Sequence, residues 1–349
     1  MTQFSLTVDQ LSIQEMAQKF TADAITPLAA EWDEKHIFPR DTIKQAAELG
    51  FGWIYVSEES GGIGLGRLER AIIMEAMAYG CPSISPFISI HNMASWMIDT
   101  FGAQAVKDKY LPDLVPMDKI SSYCLTEAGA GSDAASLKTK AVRDGDDYIV
   151  NGSKQFISGG GEKEIYVTMT RTSDDGAKGV TCLVIEKDME GESFGVNEKK
   201  LGWHSQPTAQ VNFDNVRVPA ENRVGDEGEG FRIAMAGLDG GRLNIGACSL
   251  GGAQRCLDEA VNYTKERKKF GKAISDFQNT SSCSPIWQPI SKLRGRCFIL
   301  QRPRSPKGLR TKPNLPRWPS VWRDLRVNSI LEGANQVMRM NVSRELLRQ

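Results

Sequence analysis

The stretch Ser122-Tyr-Cys-Leu-Thr-Glu-Ala-Gly-Ala-Gly-Ser-Asp133 marks the point where the chain changes from helical to extended patterning. A run with aromatic and β-branched side chains leads there into a loop of small residues. Gly129 and Gly131 would let the backbone bend and approach a ligand closely, and Ser132 and Asp133 follow with a hydroxyl and a carboxylate. The pattern predicts a phosphate or cofactor site, although an ordinary tight turn is the simpler interpretation of this stretch taken alone.

On the N-terminal side of this stretch the pattern is helical. Apolar residues between positions 8 and 32 mostly recur at three- to five-residue steps, which predicts an amphipathic helix that kinks or ends at Pro27. Residues 67–78 and 93–101 predict two further helices. The segment Gly61-Gly-Ile-Gly-Leu-Gly66 has the spacing G-x-G-x-G and no surrounding βαβ pattern, so we interpret it as a flexible loop and not as a dinucleotide fingerprint.

On the C-terminal side, short β-branched runs alternate with clusters of Gly, Asp, Asn and Ser. This pattern is typical of antiparallel strands joined by turns. The runs are residues 148–150, 165–169, 180–185 and 211–218.

A helical pattern returns from Gly230. Residues 231–238 and 242–263 are rich in Ala and Gly, and such small residues permit close helix–helix contact in a bundle or at an oligomer interface. The sequence therefore predicts helices, then strands, then helices again. The three predicted domains, which are helical, β and helical in that order, are residues 1–120, 121–228 and 229–349.

Composition argues against several classes of function. Lys+Arg and Asp+Glu both total 43 in 349 residues, so the overall charge gives no reason to expect nucleic acid or an acidic membrane as a partner. Seven Cys without a C-x-x-C pair predict reduced thiols. The three His lack metal-ligand spacing, and we interpret His91 and His204 as structural. No leader pattern opens the sequence, and no run approaches the roughly 20 apolar residues of a membrane span. We expect a cytoplasmic protein without a metal or a membrane span.

Four further motifs follow the Ser122–Asp133 stretch in order. They are Asn151-Gly-Ser-Lys-Gln-Phe-Ile-Ser158, Leu238-Asp-Gly-Gly-Arg242, Glu266-Arg-Lys-Lys-Phe-Gly271 and Leu331-Glu-Gly-Ala-Asn-Gln336. The ordered set resembles the acyl-CoA dehydrogenase family of flavoenzymes over residues 5–280 and 322–349. The resemblance implies a multidomain α+β fold with an N-terminal helical domain, a middle antiparallel β-barrel and a C-terminal helical bundle.

The resemblance also implies a reaction, the FAD-dependent α,β-dehydrogenation of an acyl-CoA thioester. The flavin accepts the hydride, and the electrons pass to electron-transferring flavoprotein. Residues 88–93 and 201–208 are similar to those of family members specific for isobutyryl-CoA. This similarity predicts the conversion of isobutyryl-CoA to methacrylyl-CoA in valine catabolism. The family resemblance also implies a homotetramer if the C-terminal bundle forms. Another short-chain acyl-CoA is the alternative substrate.

Glu332 matches the catalytic base of the family. A carboxylate in a dry pocket has a raised pKa and is a better base, and the flexible Gly333 after it suits a side chain that must reach the substrate. In the family, the backbone N–H of this glutamate and a flavin ribityl hydroxyl polarise the thioester carbonyl. The alternative is that Glu332 is an acid in the first turn of a helix, stabilised by the helix dipole.

Flavin- and substrate-binding residues are implied in the same way. The first flavin loop corresponds to Cys124, Leu125, Thr126, Gly131, Ser132 and Asp133. The segment that packs on the flavin ring, with a hydroxyl near N5, corresponds to Phe156, Ile157 and Ser158. Contacts with FAD bound largely to a neighbouring subunit correspond to Arg267, Phe270 and Gln278, and a final flavin contact to Ala334, Asn335 and Gln336. The substrate-binding positions are Ser132, Asp239, Gly240, Gly241, Arg242, Gly333 and Arg344.

Each of these assignments has a structural alternative. The alternative for residues 156–158 is an ordinary strand end. The cluster around Arg267 is also compatible with a solvated helix end. Arg242 and Arg344 are compatible with ordinary salt-bridge partners.

Residues 281–321 do not fit the resemblance. Seven of the fifteen Pro and nine Lys or Arg, but no Asp or Glu, fall there, where the family has bundle helices, and each Pro inside a helix costs about 3 kcal/mol. The fit resumes at Trp322 without the Gly-Gly-x-Gly segment that usually precedes it. Our hypothesis is a reading-frame shift or segment loss. The alternatives are a Pro-rich linker and a basic nucleic-acid-binding segment. An incomplete bundle would leave a catalytically dead remnant that binds flavin and CoA.

Overall fold

The computed structural model describes residues 6–277, and the order of its elements confirms the predicted α+β class. The N-terminal helices are α1 (Val8–Phe20), α2 (Ala29–Lys35), α3 (Arg40–Glu48), α4 (Arg67–Gly80), α5 (Ile84–Phe101) and α6 (Gln104–Leu114). The strands that follow are β1 (Ser121–Cys124), β2 (Lys140–Asp144), β3 (Asp147–Ser158), β4 (Ile165–Arg171), β5 (Val180–Glu186), β6 (Glu192–Phe194), β7 (Thr208–Pro219) and β8 (Arg223–Val224). The last elements are α7 (Gly230–Glu266), β9 (Lys268–Lys269) and β10 (Lys272–Ala273).

The first helical segment breaks where the sequence predicts a break. Thr7 and Gln10 cap α1 reciprocally, each side chain bonding the backbone N–H of the other. One π-helical turn, Thr21–Ile25, extends α1. Pro27 then separates this turn from α2, because proline has no N–H to continue the ladder.

Helix α5 begins nine residues before the predicted start at residue 93. Pro86 lies in its first turn, where the missing N–H has no helical partner to lose. The segment at residues 61–66 is a loop, as predicted, with positive φ at Gly61 and Gly64. Helices α3 and α6 were not predicted.

Strands β1 to β8 form one sheet in the order β6-β7-β3-β2-β4-β5-β8, with β1 paired to β4. Most pairs are antiparallel, as predicted. Two pairings are parallel: β1 with β4, where Ser121 lies opposite Ile165, and β2 with β4, where Lys140 lies opposite Arg171. The sequence did not predict these, because the direction in which two strands pair depends on how the chain between them crosses the sheet.

The two faces of the sheet form two cores. Val150 and Val211 from one half of the sheet share a buried cluster with Tyr166 and Leu183 from the other half, so the sheet folds over on itself as a barrel does. The opposite face, which includes Val167, packs against α5, α6 and α7 in a second cluster. The barrel interior and the helical domains are therefore separated by a single layer of backbone.

Helix α7 packs closely along α4. A Cβ added at Gly251 would lie 2.1 Å from the Glu75 carbonyl oxygen, so the backbones are as close as the small residues of this segment predict. After α7, the chain turns through Phe270 and Gly271, both with positive φ. This two-residue turn is the type that joins tight hairpins, here β9 and β10.

Candidate functional site

A buried ion pair holds both ends of the predicted flavin loop. Lys154, fully buried on β3, donates through Nζ to the Glu127 carboxylate at 2.7 Å and to the Leu125 carbonyl at 3.2 Å. The same carboxylate accepts the backbone N–H of Lys138 at 2.6 Å and that of Thr139 at 2.9 Å. The entrance and the exit of the loop are thereby fastened to one strand.

The surroundings of Glu127 favour its ionised carboxylate. Burial alone would raise the pKa of Glu127, but the Lys154 ammonium and the backbone N–H donors outweigh burial and hold that pKa below its ordinary value. Burial lowers the pKa of Lys154, and the attraction of Glu127 opposes this shift. Removing either partner would leave an uncompensated charge in the protein interior.

Neither the packing nor the backbone conformation of the loop requires glycine at positions 129 and 131. Neither Gly129 nor Gly131 has a positive φ, and a Cβ at either position would meet no atom within 4 Å. The loop closes instead through two backbone bonds, of 3.0 and 3.1 Å, between Glu127 and Ala130. The chain does bend tightly here, but the bend needs no conformation special to glycine. The two glycines leave open space beside exposed Ser132.

A bulge in β3 presents Phe156 beside this loop. The pairing of β3 with β7 shifts register between Lys154 and Ile157, and Phe156 has φ 58°, a region that bulky residues rarely adopt. The Gln155 N–H donates to the Thr126 carbonyl at 2.8 Å, so the bulge lies against the loop. The Phe156 side chain is 61% exposed. A strained residue that offers a large apolar surface to solvent is typical of a ligand contact.

Ser158 completes the same corner. Ser122 Oγ donates to the Ser158 carbonyl, and Gln206 Nε2 donates to Ser158 Oγ at 2.8 Å. By contrast, the side chains of Cys124 and Ile157 are buried in the barrel core. The predicted flavin contacts of these two residues are therefore limited to their backbone atoms.

A neutral histidine on α5 hydrogen-bonds to the start of β1. The His91 ring, fully buried, accepts the Ser121 N–H at Nδ1 (3.0 Å), which leaves Nε2 to donate to the Leu114 carbonyl at 3.1 Å. Burial lowers the pKa of His91 to about 3. The buried Lys163 Nζ donates to the Ser121 carbonyl at 2.8 Å and lies 3.9 Å from the centre of the Phe87 ring. His91 is a structural residue here, and His204 bonds Asp33 in the helical domain.

The predicted substrate motif on α7 adjoins the flavin loop. Leu238 packs against the apolar cluster that contains Leu125 and Ala130, so the motif and the loop share one core. Arg242 forms an ion pair with Asp239 at 2.5 Å. The salt-bridge interpretation of Arg242 is thus observed between two residues that were both predicted to bind substrate. Nothing lies within 4 Å of a Cβ added at Gly240, whereas Gly241 is buried.

Arg267 and Phe270 lie far from the loop. They follow the C-terminal end of α7, and about 37 Å separates residues 242 and 267 at the helical rise of about 1.5 Å per residue. Phe270 is 94% exposed at the tip of the hairpin. Within one subunit these residues do not join the flavin loop, and their contact with FAD on a neighbouring subunit stays a prediction.

Several predicted site residues lie outside the described part of the chain. They are Gln278, Glu332, Gly333, Ala334, Asn335, Gln336 and Arg344. Residues 6–277 contain no group of three or more His, Cys, Asp or Glu side chains arranged for a metal ion. No helix in the same range is both long and apolar enough to cross a membrane.

Sequence reasoning missed three residues of this site: Glu127, Lys154 and Gln206. Lys154 gave a usable signal, because it has the inward register of Tyr148 and Val150 on β3. A lysine in such a register predicts a buried acidic partner. Gln206 gave no such signal, because it lies in a loop before β7.

The residues present fit a flavin. The loop leaves open space at Gly129 and Gly131, and Phe156 offers an unpartnered apolar face. The buried Gln206 Oε1 has no hydrogen-bond partner within residues 6–277. An open, partly apolar edge with convergent polar groups is what a bound ring system requires.

Three family models match the chain in order. They are described as the acyl-CoA dehydrogenase N-terminal domain at residues 7–118, the middle domain at 122–216 and the C-terminal domain at 228–282. The third match ends where the Pro-rich, basic segment 281–321 begins.

Curated relatives and solved structures agree with these matches. Mitochondrial isobutyryl-CoA dehydrogenase of Dictyostelium discoideum is 47% identical over 377 residues, covering 98% of this chain and 90% of its own length. The Bos taurus counterpart is 44% identical, covering 99% and 90%. Butyryl-CoA dehydrogenase from Megasphaera elsdenii has a TM-score of 0.85 at 30% identity over 99% of this chain and all of its own. Because 377 aligned positions exceed the 349 residues here, at least 28 positions of the Dictyostelium relative lack a counterpart.

Proposed function

Because the chain belongs to the acyl-CoA dehydrogenase family, we propose that it oxidises isobutyryl-CoA to methacrylyl-CoA. The observation that carries this choice of substrate is the identity of 44–47% with two isobutyryl-CoA dehydrogenases over nearly the whole chain. The family is FAD-dependent, and FAD supplies the acceptor for the hydride that leaves the β-carbon.

We assign the proton transfer to Glu332. Its carboxylate would take the α-proton while its own backbone N–H donates to the thioester oxygen, where negative charge develops. Asp239, Gly240, Gly241 and Arg242 would face the thioester and CoA. Support for a site at this place comes from the core that the α7 motif shares with the flavin loop.

Different residues of the chain would contact different parts of the flavin. Phe156 would cover the ring, and Ser158 would offer a hydroxyl at its N5 edge. Ser132 and Asp133, both exposed on the open side of the loop, would border the ring and the pantetheine. The fastened ends of the loop would keep these groups in place without closing the edge.

We further propose a homotetramer that passes its electrons to electron-transferring flavoprotein. Arg267 and the exposed Phe270 would bind the pyrophosphate region of FAD on a neighbouring subunit. Their separation from the flavin loop within one subunit supports this assignment, because they could not reach the same subunit's flavin from that distance. We also propose a cytoplasmic location. The two isobutyryl-CoA dehydrogenases named above are mitochondrial forms, and cell fractionation distinguishes a cytoplasmic from a mitochondrial location.

A substrate panel tests the proposed reaction. The full-length protein is assayed with an artificial electron acceptor on isobutyryl-CoA, butyryl-CoA and isovaleryl-CoA, and the product is identified by its loss of two hydrogens. A pocket shaped for one acyl chain discriminates by about 10–200-fold per methylene. We expect kcat/KM to be highest for isobutyryl-CoA by at least about tenfold. A preference for butyryl-CoA would contradict the proposed substrate but would still support an acyl-CoA dehydrogenation.

The composition of residues 281–321 favours a second candidate, a remnant that binds flavin and CoA without catalysis. Seven prolines in this segment oppose the helices that the family has there. Light scattering distinguishes the candidates, because an incomplete bundle should prevent tetramer formation. A stable tetramer would count against the remnant.

A further inference from the structure

We propose that Gln206 is a positioning residue that sets the direction of the Ser158 hydroxyl, so that this hydroxyl donates its hydrogen to the flavin. The inference rests on the proposed function, which places Ser158 at the flavin. It concerns a residue to which the family resemblance assigns no role, although the residue lies in the segment 201–208.

The hydrogen-bond directions at Ser158 carry the inference. Gln206 Nε2 donates to Ser158 Oγ at 2.8 Å, and the Gln206 side chain is 2% exposed. A hydroxyl whose oxygen accepts an amide N–H still has its own hydrogen to donate. No hydrogen bond within residues 6–277 uses that hydrogen. It is therefore available to an acceptor on the open side of the corner.

Gln206 is itself held rigidly, as a positioning residue must be. Its carbonyl accepts Lys200 Nζ, and its N–H donates to the Trp203 carbonyl at 3.1 Å. Pro207, the next residue, accepts the Gly159 N–H at 2.7 Å. The loop is thus fastened to the end of β3 beyond Ser158, so the backbone that carries the Gln206 side chain is fixed beside the hydroxyl.

The other amide atom is left without a partner. Gln206 Oε1 is buried without a partner in the described part of the chain, and an unpaired buried acceptor is costly. Exchanging the two amide atoms would not remove this cost, because Nε2 would then be unpaired. The exchange would also draw the Ser158 hydrogen onto Gln206 and away from the flavin. In the orientation of the structure, Nε2 donates to Ser158 Oγ and leaves the Ser158 hydrogen free for an acceptor.

The test compares Gln206→Glu, Gln206→Leu and Ser158→Ala in the full chain. A glutamate has the same shape as glutamine but only accepts, so it would capture the Ser158 hydrogen. We expect both Gln206 variants, like Ser158→Ala, to shift the visible flavin bands and to weaken FAD binding about tenfold, the effect of losing about 1.4 kcal/mol. Because Gln206 acts through Ser158, adding Gln206→Leu to Ser158→Ala should change neither readout further.

Asn197→Ala is the matched control in the same loop. The Asn197 Oδ1 accepts the Thr208 N–H at 3.2 Å and has no bond to Ser158, so this variant should lower the melting temperature without shifting the flavin bands. Additive effects in the double variant, or unshifted bands in Gln206→Glu, would overturn the inference. Unshifted bands in Ser158→Ala would also overturn it while leaving the proposed reaction intact. A wild-type chain that binds no FAD would overturn both.

Discussion

At the residue scale, the site depends on charged side chains that the fold buries. Lys154 and Lys163 are both fully buried, but their partners differ. Lys154 meets a carboxylate, whereas Lys163 meets a backbone carbonyl and the face of Phe87. A carbonyl stabilises an ammonium less than a carboxylate does, and burial lowers the pKa of Lys163 to about 7. The two lysines should therefore affect stability in different ways.

Replacing Lys154 with Met should lower the free energy of unfolding by about 3–5 kcal/mol, because Glu127 would remain buried without its counter-charge. The matched control is Lys35→Met, which removes the exposed Lys35–Glu31 pair and should cost less than about 1 kcal/mol. Urea denaturation of both variants measures the difference. Equal costs would mean that the ion pair does not anchor the flavin loop.

Replacing Lys163 with Met should flatten the dependence of stability on pH. The folded pKa of about 7 lies below the unfolded value of about 10.4, so the unfolded chain binds a proton that the folded chain has released. The free energy of unfolding therefore rises as pH rises from 7 towards 10. Melting temperatures across this range should rise less in Lys163→Met than in the wild type, whereas Lys35→Met should keep the wild-type slope. Parallel profiles for Lys163→Met and the wild type would show that Lys163 does not titrate in this window.

At the scale of elements, the close approach of α4 and α7 depends on one glycine. A Cβ at Gly251 would lie 2.1 Å from the Glu75 carbonyl oxygen, whereas the nearest atom to a Cβ at Gly252 is 3.8 Å away. Gly251→Ala would have to push α4 and α7 apart. Gly252→Ala meets only ordinary contacts and gains helix propensity.

We expect Gly251→Ala to destabilise the protein by about 1–3 kcal/mol, the usual cost of overpacking. Gly252→Ala should be neutral or stabilise by up to about 1 kcal/mol. Thermal unfolding measures both, and the adjacent positions control for burial and for the helix itself. A neutral Gly251→Ala would show that the two helices can separate without cost.

The sequence predicts an element well when the residues that define it are neighbours in the chain. Strands β4 and β5 are rich in apolar and β-branched residues, and both were predicted within two residues at either end. Strand β2 was missed, because only Ala141 of its five residues is buried and no alternation results. The Glu127–Lys154 pair was missed for another reason: its members are 27 residues apart, and only the folded sheet brings them together.

At the scale of the whole molecule, the account depends on residues 281–321. The family match ends at residue 282, and the segment has no acidic residue. A reading-frame shift predicts that the coding DNA, translated in another frame over this segment, gives an acid-containing sequence with helical periodicity. Resequencing and translation in all frames check this expectation. Unrelated sequence in every frame would contradict the frame shift and favour a linker or a basic arm.

The most direct test of the central claim is anaerobic addition of isobutyryl-CoA to the purified chain while the visible flavin band is recorded. The account predicts that the band bleaches, because Glu332 would take the α-proton and a bound flavin would accept the hydride from the β-carbon. Glu332→Gln should retain FAD but bleach about 10²–10⁴-fold more slowly. A wild-type chain that binds FAD and never bleaches, or that bleaches as fast without Glu332, would contradict the account.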